Sequence, residues 1–385
     1  MRILVVLTYY RPHVSGLTIY AERLARGLAS RGHEVTILTS RFDPETPREE
    51  LRDGVRVVRA PVLLRVSKGV VMPTFGALAT RLVRRHDALS LHLPQLDAAG
   101  VALRGRWLRR PTTLTYHCDL SLPPGFGNRM VNRVVHVMNA LAGHLAHRII
   151  AYTDDFAANS PYLRRFRSKT VVVAPPVEVV DTTKRERAGF RARHRLEDCS
   201  LVLGMGARLA SEKGVEVLLR ALPRVLAVHP TARVLFAGQH QGVLGEARYA
   251  RRLAPLLERH RDRWTFLGVL DAAEMGAFYA NLDAIVVPSL NSTESFGLVQ
   301  VEAMLCGVPA IASALPGVRQ PVTQTGMGEI FPVGDSDALA DAILRVAANP
   351  EAYWKPRESI ASLFSTGATV DGYEALFERL RSELA

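Results

Sequence analysis

Residues 288–313 read PSLNSTESFGLVQVEAMLCGVPAIAS, and the four residues before them are Ala284-Ile-Val-Val287. A β-branched run closed by a proline predicts a buried strand over Ala284–Pro288. The polar residues that follow predict a loop. Leu298–Cys306 reads as a helix starting near Gly297, and Pro309–Ser313 as the next strand. Such a helix points its first N–H groups back toward the strand ends, where they suit an anion such as a pyrophosphate. Glu294 stands in the loop and Glu302 within the first turn and a half of the helix. One carboxylate can meet a sugar while the other accepts from the paired hydroxyls of a ribose. Taken alone, the two are equally well a helix cap and a solvated helix glutamate.

The same alternation extends in both directions. Ile3–Leu7 predicts a buried strand, and Leu17, Tyr20, Ala21, Leu24, Ala25 and Leu28 fall on one helix face. Gly32 stops that helix, and Glu34–Thr39 completes a βαβ unit. Short strands are predicted at Val55–Arg59, Ala88–Leu93, Thr112–His117, Arg148–Ala151 and Thr170–Val173, with a helical stretch from Val131 to Leu145. After the break Ala174-Pro-Pro the pattern restarts. Strands are predicted at Leu201–Gly204, Arg233–Ala237 and Arg263–Leu267, and helices at Val215–Val228, Glu246–Arg259 and Glu274–Tyr279. Strands alternating with helices imply parallel sheets covered on both faces. The expected division is a first domain over 1–178, a charged and aperiodic linker over 179–195, a second domain over 196–366, and a C-terminal helix over 367–385 packing back on the first. Open parallel sheets bind ligands at the carboxyl ends of their strands, so two such domains can share one ligand in an interdomain cleft.

Composition narrows the function classes. Of 385 residues 48% are apolar, which excludes wholesale disorder. Three cysteines without a Cys-x-x-Cys pair exclude a disulfide framework and argue against zinc, in keeping with a cytoplasmic protein. The N-terminal apolar run is too short for a signal peptide, and no apolar stretch approaches the ~18 residues of a spanning helix. The net charge of +12 is uneven. Residues 1–190 hold 29 Lys and Arg against 15 Asp and Glu; the rest hold 20 against 22. A basic half favours a polyanionic partner, although five lysines among 44 arginines are also what G+C-rich codon usage writes. No recognition motif or aromatic platform accompanies the charge, so nucleic acid is not expected.

Glu294-Ser-Phe-Gly-x4-Glu302, in its strand–loop–helix–Gly-x-Pro–strand setting, resembles the E-x7-E signature of the retaining glycosyltransferases of family 4. Further elements fall in the order that family requires, so the resemblance covers most of the chain. It implies an α/β protein of GT-B fold, with two facing Rossmann-like parallel-sheet domains, the first binding the acceptor and the second the nucleotide sugar. Gly206-Ala-Arg208-Leu-Ala-Ser-Glu-Lys213-Gly214 places two cations on a loop between strand and helix, where they can clamp a diphosphate. By resemblance Arg208 and Lys213 are the donor-phosphate ligands. A dinucleotide fingerprint starting at Gly204 fails at Leu209, where the third glycine belongs. The resemblance further implies that Glu294 holds sugar hydroxyls, Glu302 the ribose, and Ser295, Phe296, Gly297, Leu298 and Val299 the donor's sugar and phosphate oxygens.

Thr115-Tyr-His117-Cys-Asp119 ends a strand of the first domain. A lone histidine is usually structural, and His117 with Asp119 makes at best an incomplete metal site. By resemblance His117 is catalytic and reaches the donor sugar near its reacting carbon. Ser15-Gly16-Leu17 stands where many relatives carry two glycines that let a backbone approach the donor phosphate closely. Gly16 keeps that possibility; Ser15 departs from the pattern and, with Asp119, is placed on the acceptor side. His33 reads as a turn residue.

The reaction so implied is transfer of a sugar from a nucleotide-diphosphate donor, UDP favoured and GDP possible, with retention and without a required cofactor or metal. The acceptor is lipid-linked, of the cell envelope, or a small molecule. A sugar-nucleotide 2-epimerase of the same architecture and a non-catalytic sugar-nucleotide-binding protein are the alternatives. Arg59, Arg65, Lys68, Arg81, Arg84 and Arg85 flank apolar Val70–Met72 and Phe75–Val83. That mixture fits an interfacial helix on an anionic membrane, at the inner face of the plasma membrane, as well as it fits a solvated surface around core leucines.

Overall fold

Runs of β-branched and leucine residues build two sheets in the computed structural model, which describes residues 1–66, 69–119 and 126–384. The chain divides into two units, Met1–Pro176 with Phe364–Ala385, and Val177–Leu363. In the first unit the strands are β1 (Arg2–Val6), β2 (Glu34–Arg41), β3 (Glu49–Arg52), β4 (Val55–Pro61), β5 (Leu64–Val66), β6 (Gly69–Val71), β7 (Ala88–Leu93), β8 (Thr112–Tyr116), β9 (Arg148–Ala151) and β10 (Thr170–Val172). Eight of them form one sheet in the order β10-β9-β8-β7-β1-β2-β4-β3, while β5 and β6 make a separate antiparallel hairpin. All pairs in the large sheet are parallel except β3 with β4. Edge strand β3, Glu-Glu-Leu-Arg, has no buried residue, so no apolar pattern announced it.

The second unit carries β11 (Val202–Gly206), β12 (Arg233–Ala237), β13 (Trp264–Gly268), β14 (Ala284–Val287), β15 (Ala310–Ser313) and β16 (Gly328–Phe331) in one fully parallel sheet, order β13-β12-β11-β14-β15-β16. Strand order reverses between β11 and β14, as it does between β1 and β7 in the first unit. At such a switch point the connections leave in opposite directions and open a crevice at the carboxyl ends of the two central strands. The loops after β11 and β14 carry Lys213 and Glu294.

The segment expected to link the two domains, 179–195, contains a helix, Lys184–Arg193, that belongs to the second unit. Thr183 and Glu186 close a capping box at its start, and Phe190 is its one buried residue. A single buried aromatic leaves no apolar period, which is why the segment read as aperiodic. The C-terminal helix Thr366–Leu384 is counted in the first unit. It packs on α1 (Gly16–Ser30), burying Val370, Tyr373, Phe377 and Leu380, each contributing about 1.5–3 kcal/mol. Gly27 of α1 allows the approach, since a Cβ there would come within 2.7 Å of Val370 Cγ2.

The basic stretch expected to rest on a membrane is used differently. Arg59 is 4% exposed and pairs with Glu50 at 2.5 Å. Val70, Met72, Phe75, Ala79, Leu82 and Val83 all lie in the first unit's core. The apolar side of helix α2 (Phe75–Arg85) therefore faces protein and cannot enter a bilayer. Arg81, Arg84 and Arg85 remain exposed, and Lys68 lies outside the described residues. Among the described residues no helix is long and apolar enough to cross a membrane.

Candidate active site

In the second unit a small pocket opens at the switch point, lined by Gly206, Ala207, Lys213, Pro288, Ser289 and Glu294 with neighbouring apolar residues. Two loops make it by close contact. Gly214 adopts φ +66°, and a Cβ there would lie 2.0 Å from the Pro288 carbonyl oxygen, so only glycine lets the loop after β11 touch the loop after β14. Leu290 N–H donates to the Glu212 carbonyl at 2.9 Å and fastens the same two loops. Gly206, at the end of β11, leaves room for Val299: a Cβ would sit 3.0 Å from its Cγ1.

Within this frame the Lys213 ammonium donates to Glu294 Oε2 at 2.5 Å, and Gly297 N–H donates to Oε1 at 3.0 Å. Burial pushes the Glu294 carboxyl up, but Lys213 and the Gly297 and Phe296 N–H groups outweigh it, and its pKa ends below the usual carboxylate value. Glu294 is thus an anion held by three donors, and about four lone-pair directions on a carboxylate leave it able to accept from a further hydroxyl. Gly297, at φ +77°, caps the helix Leu298–Leu305. The first N–H groups of that helix have no partner within it and face the loop. Gln300 fixes the turn by donating to Phe296 O at 2.8 Å and Val318 O at 3.0 Å.

Ser295 and Phe296 are buried beside Glu294. Glu302 is 6% exposed and accepts a hydrogen bond from the Tyr279 hydroxyl. Arg208 lies on the loop after β11, but its guanidinium is turned to Glu212 at 3.3 Å rather than to Lys213 or Glu294. The structure thus brings Lys213, Glu294 and the helix start together and leaves Arg208 on a neighbouring acidic partner. Sequence reasoning missed Tyr279, Gln300 and Ser289, whose positions carry no local signal.

In the first unit both ring nitrogens of His117 are engaged by neighbouring side chains. Its Nε2 lies 2.8 Å from His92 Nδ1, and its Nδ1 bonds the Tyr152 hydroxyl. His92 Nε2 in turn meets Ser90 Oγ at 3.3 Å. Burial holds both histidines neutral, with the His92 pKa lowered to about 3 and that of His117 lowered well below its ordinary value. Tyr20 stacks on Tyr152 and shares a 2.9 Å hydrogen bond with Tyr373, whose hydroxyl also meets Thr115 Oγ1 at 2.5 Å. Burial raises the Tyr373 pKa to about 12. His117 sits in a closed polar network at the carboxyl ends of β7 and β8.

Ser15 spends its hydroxyl as the N-cap of α1, accepting from Thr18 N–H at 3.2 Å. Among the described residues nothing crowds Gly16: a Cβ there would meet no atom of them within 4 Å. Asp119 Oδ1 accepts from Tyr116 at 2.9 Å and Ser160 at 2.7 Å, which makes it a tie between β8 and the segment after β9. His33 bridges the N-terminal amine at 3.0 Å and Glu374 at 2.7 Å. Among the described residues no cluster of His, Cys, Asp or Glu could hold a metal ion.

Comparison with known proteins covers both units. Residues 186–362 match the family model described as Glycosyl transferases group 1, and residues 15–176 match the Glycosyl transferase 4-like domain. A D-inositol 3-phosphate glycosyltransferase of Actinosynnema mirum is 30% identical over 357 residues, covering 87% of this chain and 84% of the relative. An uncharacterized glycosyltransferase of Methanocaldococcus jannaschii is 26% identical, covering 97% of this chain and 94% of the relative. The crystal structure of Anabaena HepE in complex with UDP-glucose superposes with a TM-score of 0.77 at 19% identity, covering 99% of this chain and all of that one. That likeness shows the GT-B fold.

Proposed function

Because the chain belongs to the glycosyl transferase group 1 family (GT4) and is a glycosyltransferase with a nucleotide-sugar donor, we propose that it moves a hexose from UDP, with retention at the anomeric carbon, to a lipid-linked or cell-envelope acceptor. The observation that carries the donor reading is the Lys213–Glu294 pair beside the N-terminus of the helix Leu298–Leu305. A cation and a row of N–H groups suit a diphosphate, while an anchored carboxylate suits sugar hydroxyls.

In this reading the diphosphate takes Lys213 and the first N–H groups of the helix, and Arg208 exchanges Glu212 for phosphate. Glu294 accepts from sugar hydroxyls, and Glu302, steadied by Tyr279, accepts from the ribose. The bond from the anomeric carbon to the diphosphate breaks as the acceptor oxygen bonds to the same face, and the acceptor proton passes to the departing phosphate oxygen. Positive groups fixed before reaction offset the charge that develops on that oxygen. His117 keeps the catalytic role that the resemblance implies, and to bond a sugar its imidazole must exchange His92 or Tyr152 for the substrate. The UDP preference draws on the UDP-glucose bound to Anabaena HepE. The excess of arginine in residues 1–190 supports an anionic acceptor.

The test is thermal stabilisation by UDP, GDP and ADP, followed by product analysis with the matching sugar nucleotide. Stabilisation by UDP above the other two supports the reading, since a ligand stabilises with the logarithm of its concentration over Kd. Equal or absent shifts sink it.

A further inference from the structure

Three helices pack in series in the first unit: α2, α3 (Ala98–Trp107) and α4 (Phe126–Leu145). Their inner sides supply core residues, among them Leu82, Val101 and Ala142. Their outer sides are unusual for a protein surface. On α3, Leu103 and Trp107 stand one turn apart, and Trp107 is 72% exposed. On α4, Met130, Val134, Val137 and Leu141 are all exposed at the i, i+4, i+7, i+11 spacing of a single stripe, with Met130 at 58% and Val137 at 52%. Single exposed apolar residues are ordinary, whereas an aligned set marks an interaction site.

The charge around them has one sign. Arg81, Arg84, Arg85, Arg106 and Arg133 are exposed on the same three helices, and none of the three contains an Asp or Glu. Among the described residues no ion pair engages any of these five arginines. A second copy of this face would set arginine against arginine. A nucleic acid has no use for an aliphatic stripe. An anionic bilayer satisfies both halves: the acyl boundary takes the tryptophan and the aliphatic side chains, and lipid phosphates take the guanidinium groups.

We propose that the outer face of α3 and α4, with the arginines of α2, docks the protein on an anionic lipid surface. The parallel crossover from β8 to β9 starts α4 at the carboxyl edge of the sheet, the edge that carries His117. The docking face follows the helical layer from Met130, nearer that edge, to Trp107 and Arg84, where α3 and α2 lead into the starts of β8 and β7, and it brings the first unit to the surface where a lipid-linked acceptor resides. The inference deepens the acceptor reading and rests on it only for that last step.

The test is flotation of the full chain with vesicles of phosphatidylcholine containing phosphatidylglycerol, and with phosphatidylcholine alone, in physiological salt. The protein is expected with the anionic vesicles and largely absent from the neutral ones. The Trp107→Ser/Val137→Ser variant, which removes apolar area from the docking face, and the Arg84→Ala/Arg85→Ala/Arg106→Ala variant, whose basic residues are each worth about fivefold at such a surface, should each lower the partition at least tenfold. Both should keep the thermal shift given by UDP, which separates a failure of docking from a failure of the donor reading. The arginine variant changes only exposed residues and carries the test if the other does not fold. No flotation, undiminished flotation of the folded variants, or self-association abolished by Trp107→Ser without vesicle binding would each overturn the proposal.

Discussion

Lys213 Nζ and Glu294 Oε2 meet at 2.5 Å although 81 residues separate them in the chain, and each is the other's principal charge partner. The ion pair spans the switch point of the second sheet, so on the proposed reading a donor diphosphate would compete with the Glu294 carboxylate for one ammonium.

The first prediction concerns that competition. Glu294→Gln and Lys213→Ala should each lower turnover by about 10²–10³-fold, the usual cost of removing one preorganised electrostatic contact. The double variant should lose far less than the product of the two, because groups acting as a unit are not additive. Steady-state kinetics of the four proteins decide it, and full additivity would show that the two side chains act apart.

A second prediction separates ribose from sugar. Tyr279 donates to Glu302, and Tyr279→Phe leaves that buried carboxylate short of a partner. Donor KM should rise roughly tenfold, as a charge-assisted hydrogen bond of about 1.5 kcal/mol would give, with kcat nearly unchanged. An effect on kcat alone would move Glu302 out of the ribose role.

Gly214→Ala is expected to cost about 2–4 kcal/mol in denaturant unfolding, because a left-handed backbone and a clash with the Pro288 carbonyl combine there. UDP binding should weaken in parallel, since the same contact holds Lys213 opposite Glu294. A variant of wild-type stability would mean that the loops part easily.

The pH dependence of stability follows from His92. Burial holds its folded pKa at about 3, against an unfolded value of about 6.5. Below pH ~6.5 the unfolded chain takes up a proton that the folded one refuses, so stability falls by about 1.4 kcal/mol per pH unit as the pH drops from there toward the folded pKa. His117, lowered for the same first reason, adds in the same direction. Urea unfolding at pH 7, 6 and 5 should show a steeper loss for the wild type than for His92→Gln; equal slopes would contradict the buried neutral pair.

The sheets and the two loops that bring Lys213 to Glu294 were legible in the sequence because their signals are local. Val-Val before Pro288, the helix period from Leu298 and the glycines at 206, 214 and 297 each speak within a few residues. Partners were not legible. His92 reaches His117 only because β7 and β8 are neighbours, with His92 in register with Thr115. Periodicity also identifies an apolar face without saying where it turns. The apolar residues of α2 lie inside, whereas α4 is apolar on two sides and presents Val134 and Leu141 outward.

The closure of the first unit by its last helix has a consequence for biosynthesis. Thr115 and Tyr20 find their hydroxyl partner in Tyr373, which follows Thr115 by 258 residues. At about 5–20 residues per second, that interval is roughly 13–50 s of translation. The second unit is contiguous from Val177 to Leu363 and can be complete on the ribosome. The unit that emerges first must wait with the outer side of α1 uncovered, and the nascent chain is open to chaperones and to premature pairing until the final helix emerges.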